Sequence, residues 1–173
     1  CYPADFSEEP AFIPNWAMWY VLELYDYRNR TGDASLIAMS RGKVEGILRY
    51  FRAFENEDGL LEDLKGWVFL EWSKASADEF ICGVNYPSNM MYASALACAG
   101  ALYRDAGLLE KAEKIRRTIR EQSFNGQFFV DNAVRADGVL RRTDHISETC
   151  QYYAFFCGVA DRDGYPDLWV RLK

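Results

Sequence analysis

Ile13-Pro14-Asn15-Trp16-Ala17-Met18-Trp19-Tyr20 opens a stretch that runs to Arg30 without an internal breaker, and Thr31-Gly32-Asp33 closes it. Pro14 suits the first turn of a helix, where its missing N–H has no partner to lose. Trp16, Tyr20, Glu23 and Tyr27 recur at helical spacing, which predicts a helix over residues 13–30. Gly32 can take the left-handed conformation that ends a helix, and Asp33 can cap the next one. A second helix is expected over residues 34–54, with Leu36, Met39, Ile47, Leu48 and Phe51 as its apolar positions. Two helices joined by so short a turn make a hairpin, and the fold class follows as all-α.

The layout then returns. Residues 55–87 form a long aromatic connection containing Asp58-Gly59-Leu60-Leu61, Gly66-Trp67-Val68-Phe69-Leu70-Glu71-Trp72 and Val84-Asn85-Tyr86-Pro87. Ser88 can cap a third helix that ends near Ala106-Gly107, and a fourth over residues 109–121 carries Ala112, Ile115 and Ile119 on one stripe. A second irregular segment holds Asn125-Gly126-Gln127-Phe128-Phe129-Val130-Asp131 and Asp137-Gly138-Val139-Leu140. Ser147 can open a fifth helix reaching Ala160, and a sixth can begin near Pro166. Gly59 and Gly138 mark equivalent points of this repeat. The unit exceeds the roughly 34 residues of a tetratricopeptide repeat and the roughly 40–47 of a HEAT repeat. Its extra length lies on one side of each hairpin, where binding groups collect.

Composition narrows the partners. Half of the 173 residues are hydrophobic, with 11 Phe, 11 Tyr and 5 Trp, which excludes a disordered chain. A net charge of −6 argues against nucleic acid or an anionic membrane surface. No apolar run approaches the roughly 18 residues of a membrane-spanning helix. The five cysteines have no CxxC spacing, and Cys98, Cys150 and Cys157 sit among small residues as apolar groups would. No disulfide framework is expected, and the unpaired thiols lean toward a reducing, cytoplasmic setting rather than a periplasmic or secreted one. A single His gives no metal site, and no cofactor is called for. Cys1 could begin a mature lipoprotein, but Tyr2-Pro3-Ala4-Asp5-Phe6 follows it in place of a flexible linker, so an excised segment is the expected reading.

Several of these motifs resemble one family. Ile13-Pro14-Asn15-Trp16-Ala17-Met18-Trp19 with Thr31-Gly32-Asp33, Gly66 to Trp72 with Asn85-Tyr86-Pro87, and Ser147-Glu148-Thr149-Cys150-Gln151-Tyr152-Tyr153 resemble, in that order, the middle of bacterial α-L-rhamnosidases of glycoside hydrolase family 78. The resemblance implies helical hairpins forming part of an (α/α)6 toroid of the six-hairpin glycosidases, with short β or irregular excursions in the long loops. It also implies inverting hydrolysis of terminal α-L-rhamnosides. In that family the general acid lies in an acidic, Arg-containing loop upstream of the first motif, and the general base lies on a later hairpin. Neither motif occurs here. Six hairpins at this spacing need roughly 350–450 residues, so residues 1–173 are expected to form one partial barrel domain of about two and a half hairpins.

The candidate residues follow from that chemistry. Hydrolysis with inversion needs two carboxylates about 6.5–9.5 Å apart. Glu71 and Asp63 are the candidates within the chain, Glu71 because it resembles in position an Asp-Trp pair of the family. A carboxylate bonded to its own loop backbone is the plainer role for Glu71. Trp67 and Trp72 are candidate sugar platforms, since an aromatic face complements the C–H face of a pyranose, although dense aromatics also build cores. Asn85, Tyr86, Glu148 and Gln151 are further candidate substrate contacts. Turn formation serves Asn85 and Tyr86 equally well, and Glu148 also suits a helix N-terminus. Trp16, Trp19 and Tyr20 read as packing residues. Asp58, Asp131 and Asn132 read as turn or solvated residues, and the charges of residues 109–121 as a solvated face. The expected partner is a rhamnose-containing glycoside, with self-association through core-facing surface left bare. The competing reading is a non-catalytic helical repeat module that binds protein or carbohydrate.

Overall fold

The computed structural model describes residues 12–173; Cys1 and residues 2–6 lie outside them. The first hairpin pairs α1 (Pro14–Thr31) with α2 (Ser35–Arg52). Gly32 is left-handed (φ 72°), and its N–H returns to Arg28 O. Asp33 works as expected but from one position further out: its carboxylate accepts from the Ser35 N–H at 2.7 Å while Ala34 occupies the cap position.

The second hairpin pairs α4 (Tyr86–Tyr103) with α5 (Ala106–Ser123). Between the hairpins lie a single 3-10 turn (Lys74–Ser76), the short helix α3 (Asp78–Ile81) and strand β1 (Val84–Asn85). Asn85, not Ser88, caps α4, since its side chain accepts from the Ser88 N–H. The helix also stops earlier than Gly107, at Arg104, which takes the left-handed conformation with its N–H on Gly100 O. Asp105 then caps α5 through the Leu108 N–H.

The second excursion forms strands β2 (Asn132–Ala136) and β3 (Val139–Arg142), which join β1 in an antiparallel sheet of order β1-β2-β3. Asp137 and Gly138, both at positive φ, make the tight turn that pairs Ala136 with Val139. Gly59 plays the matching part in the first excursion, turning the chain so that Glu55 pairs with Leu61. The chain ends with α6 (Glu148–Phe156), shorter than the expected reach to Ala160, and α7 (Pro166–Arg171).

Helix α4 is the centre of the molecule. Thirteen of its eighteen residues are buried, because it is apolar or small on every side. It packs against its hairpin partner α5 and is flanked by α1 and α6, so alternate helices lie side by side. Met90, Met91 and Leu96 are at most 1% exposed, and each such burial stabilises by roughly 1.5–3 kcal/mol.

Two sequence expectations fail on which helix face turns inward. Helix α1 buries Ala17, Met18, Val21 and Leu24, leaving Trp16 exposed and Trp19 and Tyr20 half-buried. Helix α2 buries Ile37, Val44, Leu48 and Phe51, while Leu36 and Met39 are exposed and Ile47 is half-buried. At about 100° per residue, Ile37, Val44 and Phe51 share a stripe from which Leu36 and Met39 are rotated away. On α5, Ala112, Ile115 and Ile119 are buried as expected. Its charges are not all solvated, however: Arg116 and Arg120 donate to Cys157 O and Val159 O, and Lys111 pairs with Glu55.

Candidate functional site

Residues 67–72 belong to no sheet, yet they alternate like a strand. Val68 and Leu70 are buried, which turns Trp67, Phe69 and Glu71 to the opposite side. Trp72 folds back on them, its ring centroid 4.9 Å from Phe69 and 6.1 Å from Trp67, each nearly edge-on. Trp72 is 81% exposed and Trp67 37% exposed. These rings, with Glu71, Ser73 and Ser76, line a shallow cleft of about 330 Å³.

The backbone of this shelf is held by borrowed partners, as an extended segment outside a sheet requires. Trp67 N donates to Phe12 O at 2.9 Å, a contact that Gly66 permits, since a Cβ there would lie 2.4 Å from the same oxygen. Phe69 N donates to Asn15 Oδ1, and Ser76 Oγ accepts from both Leu70 N and Glu71 N. Tyr153 on α6 donates its hydroxyl to Leu70 O at 3.2 Å, and burial pushes that phenol up to about 12. Glu71 spends one carboxylate oxygen on its neighbour, accepting the Trp72 N–H at 2.7 Å.

The start of α6 stands beside the shelf, because Ser73 Oγ and Thr149 Oγ1 share a hydrogen bond of 3.2 Å. Glu148 is exposed in the first turn of α6 and accepts a hydrogen bond from Tyr152, whose phenol is raised chiefly by that bond. Glu71 and Glu148 therefore sit on two elements joined directly to each other. Asp63 stands apart: it is exposed, left-handed (φ 53°), and its N–H bonds Gly83 O.

The other candidates lie beneath the surface. Asn85 is 3% exposed; its Oδ1 caps α4 and its Nδ2 donates to Phe80 O at 3.0 Å. Tyr86 is buried, with its hydroxyl directed to Gln122, and burial raises its phenol far above the usual range. Gln151 is 2% exposed and grips both backbone groups of Phe129, donating to its O at 2.7 Å and accepting from its N at 2.9 Å.

Asp131 and Asn132, read from sequence as turn or solvated residues, are fully buried. The Asp131 carboxylate accepts from both Ser147 N and Ser147 Oγ at 2.6 Å, and Ser147 in turn caps α6. Asn132 accepts from Thr143 and shares a bond with His145 Nδ1, whose ring stacks on Phe80 at 4.7 Å. Asp131 is held by the cap of α6, and Asn132 by Thr143, His145 and the backbone carbonyls of Glu79 and Cys82.

Sequence reasoning missed Phe69 and the Ser73–Thr149 link. The alternation of residues 67–71 could have exposed the first; nothing local signals the second. A larger groove of about 740 Å³ runs past Trp19, Leu22, Ala97, Cys98 and Phe156, with Glu23, Asp26, Arg30 and Arg116 also on its lining. Among the described residues no group of three His, Cys, Asp or Glu could hold a metal ion, and no helix is long and apolar enough to cross a membrane.

No protein-family model matches the sequence, and no curated protein matches it. Solved structures do. The fold superposes on the GH78 family rhamnosidase of Bacillus sp. GL1 with a TM-score of 0.77 and 26% identity, covering 95% of this chain and 18% of that one. It also superposes on the rhamnosidase from Klebsiella oxytoca with rhamnose bound, with a TM-score of 0.66 and 15% identity over 95% of this chain and 31% of that one. The chain thus spans less than a third of either enzyme. Over the described residues, its hairpins and excursions have the fold of a helical segment of a GH78 rhamnosidase.

Proposed function

We propose that this chain is the sugar-facing part of a glycoside hydrolase that removes terminal α-L-rhamnose with inversion. The observation that carries the reading is the shelf of exposed Trp67 and Trp72 around half-buried Phe69, with Glu71 on its edge. Such rings can cover the apolar face of a pyranose, while a carboxylate accepts from its hydroxyls. Glu148 approaches from α6 as a second hydroxyl acceptor. Asn85, Tyr86 and Gln151 serve this site from below, by holding the helix starts that carry it.

Inversion requires an acid and a base with room for water between them. Glu71 is bonded to its own loop and Glu148 to Tyr152. The proposal therefore places the catalytic pair outside this chain, which supplies one partial barrel domain of about two and a half hairpins. The same commitment of Glu71 favours the second reading, a helical module that binds sugar without chemistry.

The experiment is a titration with L-rhamnose followed by NMR, with Trp72→Ala as the comparison. Affinity should fall about three- to tenfold on losing one stacked ring; equal affinity would remove the platform role. Turnover of an aryl α-L-rhamnoside by the longer protein, absent from this chain alone, separates the enzyme from the binding module. Light scattering should show self-association through exposed apolar residues such as Trp16, Tyr152 and Phe156.

A further inference from the structure

Asn15 joins the aromatic shelf to the helices beneath it. It lies in the first turn of α1, is 1% exposed, and spends both ends of its carboxamide. Its Oδ1 accepts from Phe69 N at 3.3 Å, and its Nδ2 donates to Ser88 Oγ at 2.9 Å on α4. Ser88 is itself fully buried and donates its N–H to the capping Asn85. Phe69 occupies the middle of the shelf, its ring 5.4 Å from Trp67 and 4.9 Å from Trp72. The two amides that follow, Leu70 N and Glu71 N, bond within the loop, to Ser76. The Phe69 amide alone among these reaches into the helical core, and it does so through Asn15.

We infer that Asn15 is the positioning residue of the shelf: it fixes Phe69 to the joined first turns of α1 and α4 and thereby sets the separation and tilt of Trp67 and Trp72. The consequence for sugar binding rests on the function proposed above; the positioning itself does not. Ala at this position would leave the Phe69 N–H without its acceptor and Ser88 without its donor. Asp would keep the acceptor, could take a hydrogen bond from the Ser88 hydroxyl, and would sit favourably at a helix N-terminus.

The test uses the whole chain and its circular dichroism. Trp67 and Trp72 are close enough to give an exciton couplet, assigned by its disappearance in Trp72→Phe. Asn15→Ala should lose at least half of the couplet and weaken L-rhamnose binding about five- to tenfold. Asn15→Asp should retain the couplet. Ser88→Ala, which breaks the link to α4 but leaves the Phe69 bond, should lower the melting temperature and also retain it. A full couplet in Asn15→Ala overturns the inference, and so does equal loss in all three variants, which would mark a general packing role. Should Asn15→Ala fail to fold, hydrogen exchange at the Phe69 amide of the unaltered chain decides: protection supports the inference, and exchange at the rate of an unstructured peptide overturns it. A couplet that behaves as expected in a chain with no affinity for L-rhamnose supports the positioning and overturns the sugar reading alone.

Discussion

Asn15 Nδ2 donates to Ser88 Oγ at 2.9 Å, across 73 residues of sequence, and so ties the first turn of α1 to that of α4. The bond is one link in a buried polar chain. Ser88 N reaches Asn85 Oδ1, Asn85 Nδ2 and Tyr86 N reach Asp131 O, and the Asp131 carboxylate accepts from Ser147 at the cap of α6. The starts of three adjacent helices are thus held together by buried side chains, with the β1–β2 pairing of Asn85 with Asn132 beside them. No buried side-chain nitrogen or oxygen among the described residues lacks a partner. Such a network stabilises only while it is complete.

Asn85→Ala removes both the α4 cap and the donor to Phe80 O. Loss of a cap together with a stranded buried carbonyl should cost about 2–3 kcal/mol. Urea denaturation should show a lower midpoint with an unchanged slope. An unaltered midpoint would mean that water replaces both bonds.

Gly83→Ala should be among the most damaging single-methyl additions in this chain. Gly83 has φ 66°, and a Cβ there would lie 2.3 Å from Ala133 O on the neighbouring strand. Overpacking and left-handed backbone each cost roughly 1–3 kcal/mol. Gly59→Ala is the control, at φ 79° with nothing within 4 Å; it should show only the backbone share, about 1 kcal/mol. Thermal melts of the two variants should separate clearly.

Burial raises the Asp131 carboxyl to about 6, against the opposing pull of its two bonds from Ser147. The folded state therefore binds this proton more tightly than the unfolded state does. The resulting stabilisation is complete below the unfolded value of about 4 and is lost as pH rises through about 6. Asp131→Asn can offer Oδ1 to the Ser147 N–H and Nδ2 to its hydroxyl without titrating. The variant should gain on the natural chain, by on the order of 2 kcal/mol, between about pH 4 and about pH 7. A flat difference would place the carboxyl at its ordinary value.

Thiol chemistry should sort the cysteines by depth. Cys82 is exposed, whereas burial pushes Cys98 up to about 11, Cys157 up to about 12 and Cys150 well above the usual thiol range. A thiolate-selective reagent followed by peptide mapping should label Cys82 in the folded chain and reach Cys150 and Cys157 only in denaturant. Labelling of Cys150 under native conditions would show that α6 opens readily.

The hairpins are set by residues whose signals act within a turn or two of chain. Pro14, Gly32, Asp33, Ser147 and Pro166 start or stop helices through their own backbone preferences and short-range bonds, so their meaning is local and legible. Two rings of the aromatic shelf, Trp67 and Trp72, were read as candidates from their residue type, whereas Phe69 was missed although the alternation along residues 67–71 is local. Which helix faces turn inward depends instead on long-range packing. On α1 the stripe of Trp16, Tyr20, Glu23 and Tyr27 and the stripe of Ala17, Met18, Val21 and Leu24 both keep helical spacing, and only the approach of α4 selects the second. Long-range contacts also decided the fate of the polar residues. Asn15, Asn85, Asp131 and Gln151 carry the groups of surface or ligand-binding residues. Asn15, Asp131 and Gln151 bond partners 73, 16 and 22 residues away, and Asn85 adds to its local bonds a longer one to Asp131 O, at separations that local spacing does not encode.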